Sequence, residues 1–240
     1  MSGWKRIVIL ANSTKRHHRC VAGKEISWDA TRYHGAGWIR PIDRNEAEGA
    51  VSVQIMRFED GTYPRVLDIV DVPVIAHAAD ANHPEDWVID TSRRWKRLHQ
   101  LPAAWVAHLC DDGSDLWHQP DQSRRVLEGF VSRMGNPASL MLVKPPGAWT
   151  MSLFMETSFD GRLRTKSRMR FSFGGHEHVF DNNDPQAHTH FAQPVNAPMK
   201  GELIIPFREP ENLYFALSLT PAFKGWHYKI LAAVIPGATA

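Results

Sequence analysis

Residues 162–180, RLRTKSRMRFSFGGHEHVF, have the side-chain pattern of two β-strands joined by a tight turn. Every even position from 162 to 170 is cationic, while apolar side chains such as Met169 fall at odd positions. Successive side chains of a strand point to opposite faces, so this period of two predicts an extended segment with one basic face and one apolar face. Gly174–Gly175 can adopt the positive φ values of a hairpin turn, and His176 to Phe180 is predicted to be the returning strand.

Short strand patterns of the same kind occur on both sides of a helical stretch. Strands are predicted at Arg6–Ala11, Gly37–Ile42, Val51–Ile55, Val66–Ala76, Leu140–Val143, Trp149–Met155, Glu202–Phe207, Leu213–Thr220 and Trp226–Ile235. Within Val66–Ala76 the apolar phase slips by one residue, which predicts a β-bulge. Apolar residues at helical spacing predict helices around Leu101–Leu109 and Val126–Met134.

These elements favour small closed barrels over one open sheet, because five or more short strands are separated by turns. The fold is therefore predicted to be mainly β with a few helices (α+β), made of two small barrels joined by a helical segment near residues 84–136. We expect the N-terminal barrel and its helical connection to occupy residues 1–136 and the C-terminal barrel residues 137–240.

Composition and length limit the class of protein. The chain has 240 residues and a formal net charge of +2, so any affinity for a polyanion must come from local clusters of cations. The apolar run Ile7–Ala11 is far shorter than the roughly 20 residues that span a bilayer, and we expect no membrane segment. Cys20 and Cys110 form no CxxC motif, which fits a reducing cytoplasm.

The basic row of the predicted strand consists of Arg162, Arg164, Lys166, Arg168 and Arg170. On a strand these side chains project from one face at intervals of about 6.6 Å. Because aligned cations repel one another, bound phosphates would stabilise the row and would release counterions. The alternative is an edge or outward-facing strand whose cations only prevent aggregation.

A second basic cluster follows the first strand. Asn12, Ser13 and Thr14 are residue types common in turns, so a turn is predicted there. A loop is then predicted for the basic run that follows, which consists of Lys15, Arg16, His17, His18 and Arg19. Trp38 and Arg40 could add an aromatic surface beside these cations, as single-stranded nucleic acid requires. A solvated loop and a core role for Trp38 are the corresponding alternatives.

Histidines give a competing hypothesis of a metal site. His176 and His178 share one strand face, and His188 and His190 follow in a polar loop. The pattern is weakly specific, since no CxxC or HExxH motif accompanies it. The chain also has no Walker loop, GxSxG elbow or dinucleotide-binding glycine motif, so we expect no cofactor and no enzymatic activity.

Several blocks of the sequence are similar to those of a known family. They are KRIVILANSTKRHHRCVAGKE at 5–25, GWIRPI at 37–42, VLDIVDVPV at 66–74, SLMLVKP at 139–145 and the terminal AFKGWHYKILAAVI at 222–235. With these blocks the chain resembles the prokaryotic dual-OB-domain proteins. The resemblance implies two tandem OB-like Greek-key barrels, a nucleic-acid-binding or nucleotide-binding role, and an association with defence or conflict systems. It brings no catalytic residues.

The leading hypothesis is a non-enzymatic protein that binds single-stranded or structured nucleic acid. The basic row would bind phosphates, and Lys15, Arg16, Arg19, Trp38 and Arg40 would supply a second contact surface. One rival hypothesis is an adaptor or sensor that holds an effector protein or a small nucleotide. The other is a metal-dependent hydrolase that uses the histidines between residues 176 and 190.

Overall fold

The structure is a computed structural model that describes residues 3–15, 18–29, 32–46, 49–78, 83–112, 115–135, 137–157, 161–187, 203–207 and 212–238. The strands of its first half are β1 (Gly3–Lys15), β2 (His18–Trp28), β3 (Tyr33–Ile42), β4 (Asp68–His77), β5 (Asp86–Ile89) and β6 (Lys96–Gln100).

The first five of these strands form a closed barrel. Their order is β1-β2-β3-β5-β4, and the pairing of β1 with β4 closes the ring, while β6 joins β4 outside it. The long β1 makes closure possible, because Gly3–Val8 pairs with β4 and Ile7–Lys15 pairs with β2. Side chains such as Ile7, Ile9 and Val70 fill the interior. We call this unit the first barrel.

The predicted β-bulge is present, whereas several other local predictions are wrong. Lys15, His18 and Arg19, predicted to be part of a loop, lie in β1 and β2. The register of β4 against β6 shifts between Ile69 and Val70, where the apolar phase slips. Residues Val53–Met56 form a short helix, α1, because the Ser52 side chain caps the backbone N–H two residues on and outweighs the alternating pattern. The predicted turn at Asn12–Thr14 is instead part of β1, since β2 pairs with all three residues.

The connection and the second half contain the remaining elements. They are a 3-10 helix (Ala103–Leu109), β7 (Arg125–Leu127), α2 (Glu128–Arg133), β8 (Leu140–Val143), β9 (Trp149–Thr157), β10 (Leu163–Phe173), β11 (His176–Asn182), β12 (Leu203–Phe207), β13 (Leu213–Leu219) and β14 (Trp226–Pro236). No helix in the described part of the chain is long and apolar enough to cross a bilayer. The division of the chain at residues 136 and 137 stays a prediction.

The second sheet repeats the strand order of the first barrel. Its order is β12-β9-β10-β11-β14-β13-β8, and β7 pairs antiparallel with β14 outside this order. Pro145–Pro146 lie between β8 and β9, and prolines cannot donate to a strand ladder. If β8 and β9 are counted as one interrupted first strand, the path matches the first barrel, including its parallel pair, here β11 with β14. The prediction of a mainly β, OB-like α+β fold is confirmed; we call this unit the second barrel.

The two barrels share a core in addition to their own interiors. Leu10 of β1 and Trp38 of β3 pack in one buried cluster with Leu142 of β8 and Tyr214 of β13. Small side chains such as Ala232 belong to the same cluster. The outer face of the first barrel is therefore covered by the second half of the chain and by the 3-10 helix, whose Leu109 also enters this cluster.

Candidate nucleic-acid interface

The basic row lies on an extended strand, as predicted. Residues Leu163–Phe173 form β10, and Ser167, Met169 and Phe171 are buried along one face. The opposite face carries Arg164, Lys166, Arg168 and Arg170, all at least partly exposed, and Arg162 precedes the strand.

Carboxylates of the same molecule neutralise part of the row. Asp181 lies directly across from Arg168 in β11 and accepts a hydrogen bond of 2.8 Å from its Nε. The guanidinium of Arg170 donates to Glu177 over 2.9 Å. Such exposed cross-strand pairs contribute only about 0.2–1 kcal/mol each. They nevertheless weaken the argument that five aligned cations require an external anion.

Lys166 has a different environment from Arg168 and Arg170. It forms no ion pair with a carboxylate in the described ranges, and it lines a groove of about 480 Å³. The groove lies between β10 and the hairpin 220–225 that joins β13 to β14. We call it the second-barrel groove; its other walls include Arg124, Phe154, Glu156, Asp181, Asn183, Phe223 and Tyr228.

Aromatic rings make up part of this groove. Phe223 is 61% exposed at the tip of the hairpin, and the following Lys224 and Gly225 have the positive φ values of a tight turn. The guanidinium of Arg168 lies 4.0 Å from the centroid of the Phe154 ring. Neither Phe223 nor Arg124 was predicted from the sequence, although an aromatic residue between a proline and a Lys-Gly pair is a usable signal for an exposed loop tip.

The N-terminal basic cluster lies at the β1–β2 hairpin. The register pairs Lys15 with His18, while Arg16 and His17 fall outside the described residues. Arg19 is half-buried, and its guanidinium donates to the hydroxyl of Thr14 over 3.2 Å.

Trp38 and Arg40 are placed inside the protein. Trp38 is only 9% exposed, and its indole N–H donates to Asp111 over 2.9 Å. Arg40 makes two hydrogen bonds to Asp86, of 2.5 and 2.8 Å, although burial raises the pKa of that carboxyl. Because the second half covers this face, neither side chain offers a surface for stacking or for phosphates, and the core alternative for Trp38 describes its position.

The histidines of β11 take part in a buried polar cluster. Lys229 and His178 are both fully buried, and the ammonium donates to His178 Nδ1 over 3.0 Å. Burial and the nearby Lys229 lower the pKa of His178 to about 4, and burial lowers the pKa of Lys229 to about 8. His176 stacks on His118 with 3.6 Å between ring centroids. In the described part of the chain no group of three or more His, Cys, Asp and Glu could hold a metal ion, and His188 and His190 lie outside it.

Contacts between the barrels bring the two basic segments together. The backbone N–H of Thr14, near the end of β1, donates to the carbonyl of Asn183 over 3.4 Å. The neighbouring Asn182 donates from its side chain to Ser167 of β10 over 2.9 Å. The hairpin that carries Arg19 therefore lies beside the middle of the strand that carries Lys166.

A family model described as a dual OB-containing domain matches residues 5–234. No curated protein and no solved structure matches the chain significantly.

Proposed function

Because the chain belongs to the dual OB-containing family, we propose that it binds single-stranded nucleic acid in the second-barrel groove. OB-folds bind oligonucleotides on the face of their second and third strands, next to the loop between the fourth and fifth. In the second barrel β10 and β11 are the second and third strands, and the hairpin 220–225 joins the fourth to the fifth.

The observation that carries the proposal is the pairing of Phe223 with Lys166 in one groove. An exposed ring can stack on a base of any identity, and a nearby ammonium can bind the adjoining phosphate. Stacking contributes about 1–3 kcal/mol per base, so a single ring matters measurably for affinity. Lys166 can bind a phosphate without first breaking an ion pair with any carboxylate of the described residues.

The two carboxylates of the groove are both held by arginines. Asp181 is held by Arg168 on one side and by Arg124 on the other, with Arg124–Asp181 distances of 2.7 to 3.1 Å. The described lining carries two cations, Arg124 and Lys166, and two carboxylates, Asp181 and Glu156, of which Glu156 lies 3.8 Å from the guanidinium of Arg168. The lining therefore has no excess positive charge, and we expect modest affinity that weakens with salt through the contact of Lys166 with a phosphate.

The test is fluorescence anisotropy of labelled oligothymidylate and oligouridylate at several salt concentrations. We expect Phe223→Ala and Lys166→Glu each to weaken binding by about tenfold or more, as the loss of one stacked base or one phosphate contact implies. Trp4→Ala and Lys96→Glu are matched controls, since both residues are exposed on the first barrel outside the groove. Wild-type protein that binds neither strand at low salt would refute the proposal.

The same measurements address the rival hypotheses. A thermal shift with mononucleotides, without binding of either oligonucleotide, would favour the small-nucleotide sensor. The defence association, the effector partner and the cytoplasmic location stay predictions from sequence; recovery of a specific partner from the native host would test the first two.

A further inference from the structure

A second groove lies where the two barrels meet. It measures about 590 Å³, and we call it the junction groove. The first barrel contributes one wall, with Arg19 from β2 and Arg65 from the segment before β4. The opposite wall is formed by residues 184–186 and by β14.

The cations of this groove are available to a ligand. Arg65 is exposed, and no described carboxylate pairs with its guanidinium. Among the described residues, the guanidinium of Arg19 donates to one side chain, the neutral hydroxyl of Thr14. Both arginines can therefore bind phosphates without breaking an ion pair in the described part of the protein.

The carboxylates near the junction groove are directed into the protein. Asp184, the acidic residue among the described groove walls, is 6% exposed and accepts the backbone N–H groups of Gln186 and Val234, each over 2.8 Å. Asp68 is also buried, and it accepts the backbone N–H of Arg65 over 2.9 Å. The accessible charge of the groove is therefore positive.

The junction groove adjoins the second-barrel groove at Asn183. A small cavity of about 90 Å³ lies between them, and it shares Asn183 and Thr220 with the second-barrel groove and Ala232 with the junction groove. On either side of Asn183 in the chain, Asn182 lines the second-barrel groove and Asp184 lines the junction groove. Lys166, Arg19 and Arg65 thus lie along adjoining grooves that span both barrels.

We infer that a single strand bound in the second-barrel groove continues past Asn183 into the junction groove, where Arg19 and Arg65 bind its phosphates. The inference rests on the proposed function and extends it, because it specifies the ligand as a strand long enough to contact both barrels. One OB-fold binds about 4–16 nucleotides, so affinity should keep rising with length beyond the range that saturates the second-barrel groove.

The experiment compares oligothymidylates and oligouridylates of about 6 nucleotides, within the site size of one OB-fold, and of about 30 nucleotides, well beyond it. A longer strand offers more overlapping positions at which the protein can bind, and this alone raises its apparent affinity. After correction for that number of positions, we expect the wild-type protein to bind the longer strand more than tenfold more tightly than the shorter one. Arg19→Glu with Arg65→Glu should abolish this gain and leave affinity for the short strand unchanged. With Arg19→Ala and Arg65→Ala, the slope of log K against log salt should fall in magnitude by about 2 for the long strand alone.

The matched control is Arg94→Glu with Lys96→Glu, which makes the same change in net charge at exposed residues outside both grooves. Circular dichroism and thermal unfolding should show all variants folded, and Arg65→Glu alone serves if the double variant does not fold. An equal loss in the control, or a long strand that binds no better than a short one, would overturn the inference and leave the proposed function intact. Failure of every strand to bind would overturn both.

Discussion

Lowering the pH should destabilise this protein because His178 becomes protonated, and the substitution His178→Gln should remove this part of the destabilisation. The imidazole is buried and accepts a hydrogen bond from Lys229, so protonation would put two positive charges 3.0 Å apart in the core. The pKa of His178 is about 4 in the folded protein, below its ordinary 6.5. The unfolded chain therefore binds the proton more tightly, and stability is lost as the pH falls from about 6.5 to about 4.

The magnitude follows from the two pKa values. Between about pH 7 and about pH 4.5, this single site should reduce the free energy of unfolding by about 2 kcal/mol. His178→Gln should remove that part of the loss, because an amide does not titrate and can still accept from Lys229. At neutral pH the histidine is uncharged in both states and makes no such contribution.

The assay is urea unfolding followed by tryptophan fluorescence, performed on wild-type protein and His178→Gln at both pH values. His108→Gln, at an exposed position on the 3-10 helix, is the control. The comparison of pH-dependent losses cancels any destabilisation that the substitution causes at neutral pH. Equal losses in wild type and His178→Gln would refute the reasoning.

Three further substitutions follow from the packing. Gly23→Ala should destabilise the first barrel by about 1–3 kcal/mol or more, measured by urea unfolding, because the new Cβ would meet the backbone of β1; a stable variant would contradict this close approach. Asp111→Ala removes the acceptor that Trp38 of the first barrel and the backbone N–H of Leu142 share, and should cost about 1–3 kcal/mol in the same assay, with no change contradicting that link. Raising the pH from about 8 to about 10 should stabilise wild-type protein relative to Lys229→Met, because the pKa of Lys229 is about 8 in the folded protein and 10.5 ordinarily. The measurement is the thermal-unfolding midpoint of both proteins against pH, and parallel profiles would argue against the burial of Lys229.

Local patterns in the sequence predict most of the strands, because many of them bury one face, whereas β6, exposed along its whole length, has no such pattern. The alternation in β10 and the phase slip in β4 both correspond to observed structure. The prediction failed at Val53–Met56, where the Ser52 cap stabilises a four-residue helix in place of the predicted strand. It also failed at Asn12–Thr14, where pairing with a neighbouring strand kept turn-prone residues extended.

The candidate interface was only partly predictable, since it depends on contacts between distant segments. Lys166 was identified from its own strand, but its difference from Arg168 depends on which carboxylate β11 places opposite each cation. Phe223 and Arg65 are far from the basic row in sequence, and only the packing of the barrels shows which grooves they line. Trp38 is covered by residues more than 70 positions away, such as Asp111.

The core between the barrels has a consequence for how this protein can be divided. Either half produced alone would expose to water the apolar wall formed by residues such as Leu10 or Leu142. Large exposed apolar surfaces promote aggregation, so we expect each half to aggregate when it is produced alone. Recombination that exchanged one barrel for another would therefore also have to supply an apolar surface complementary to the barrel that remains.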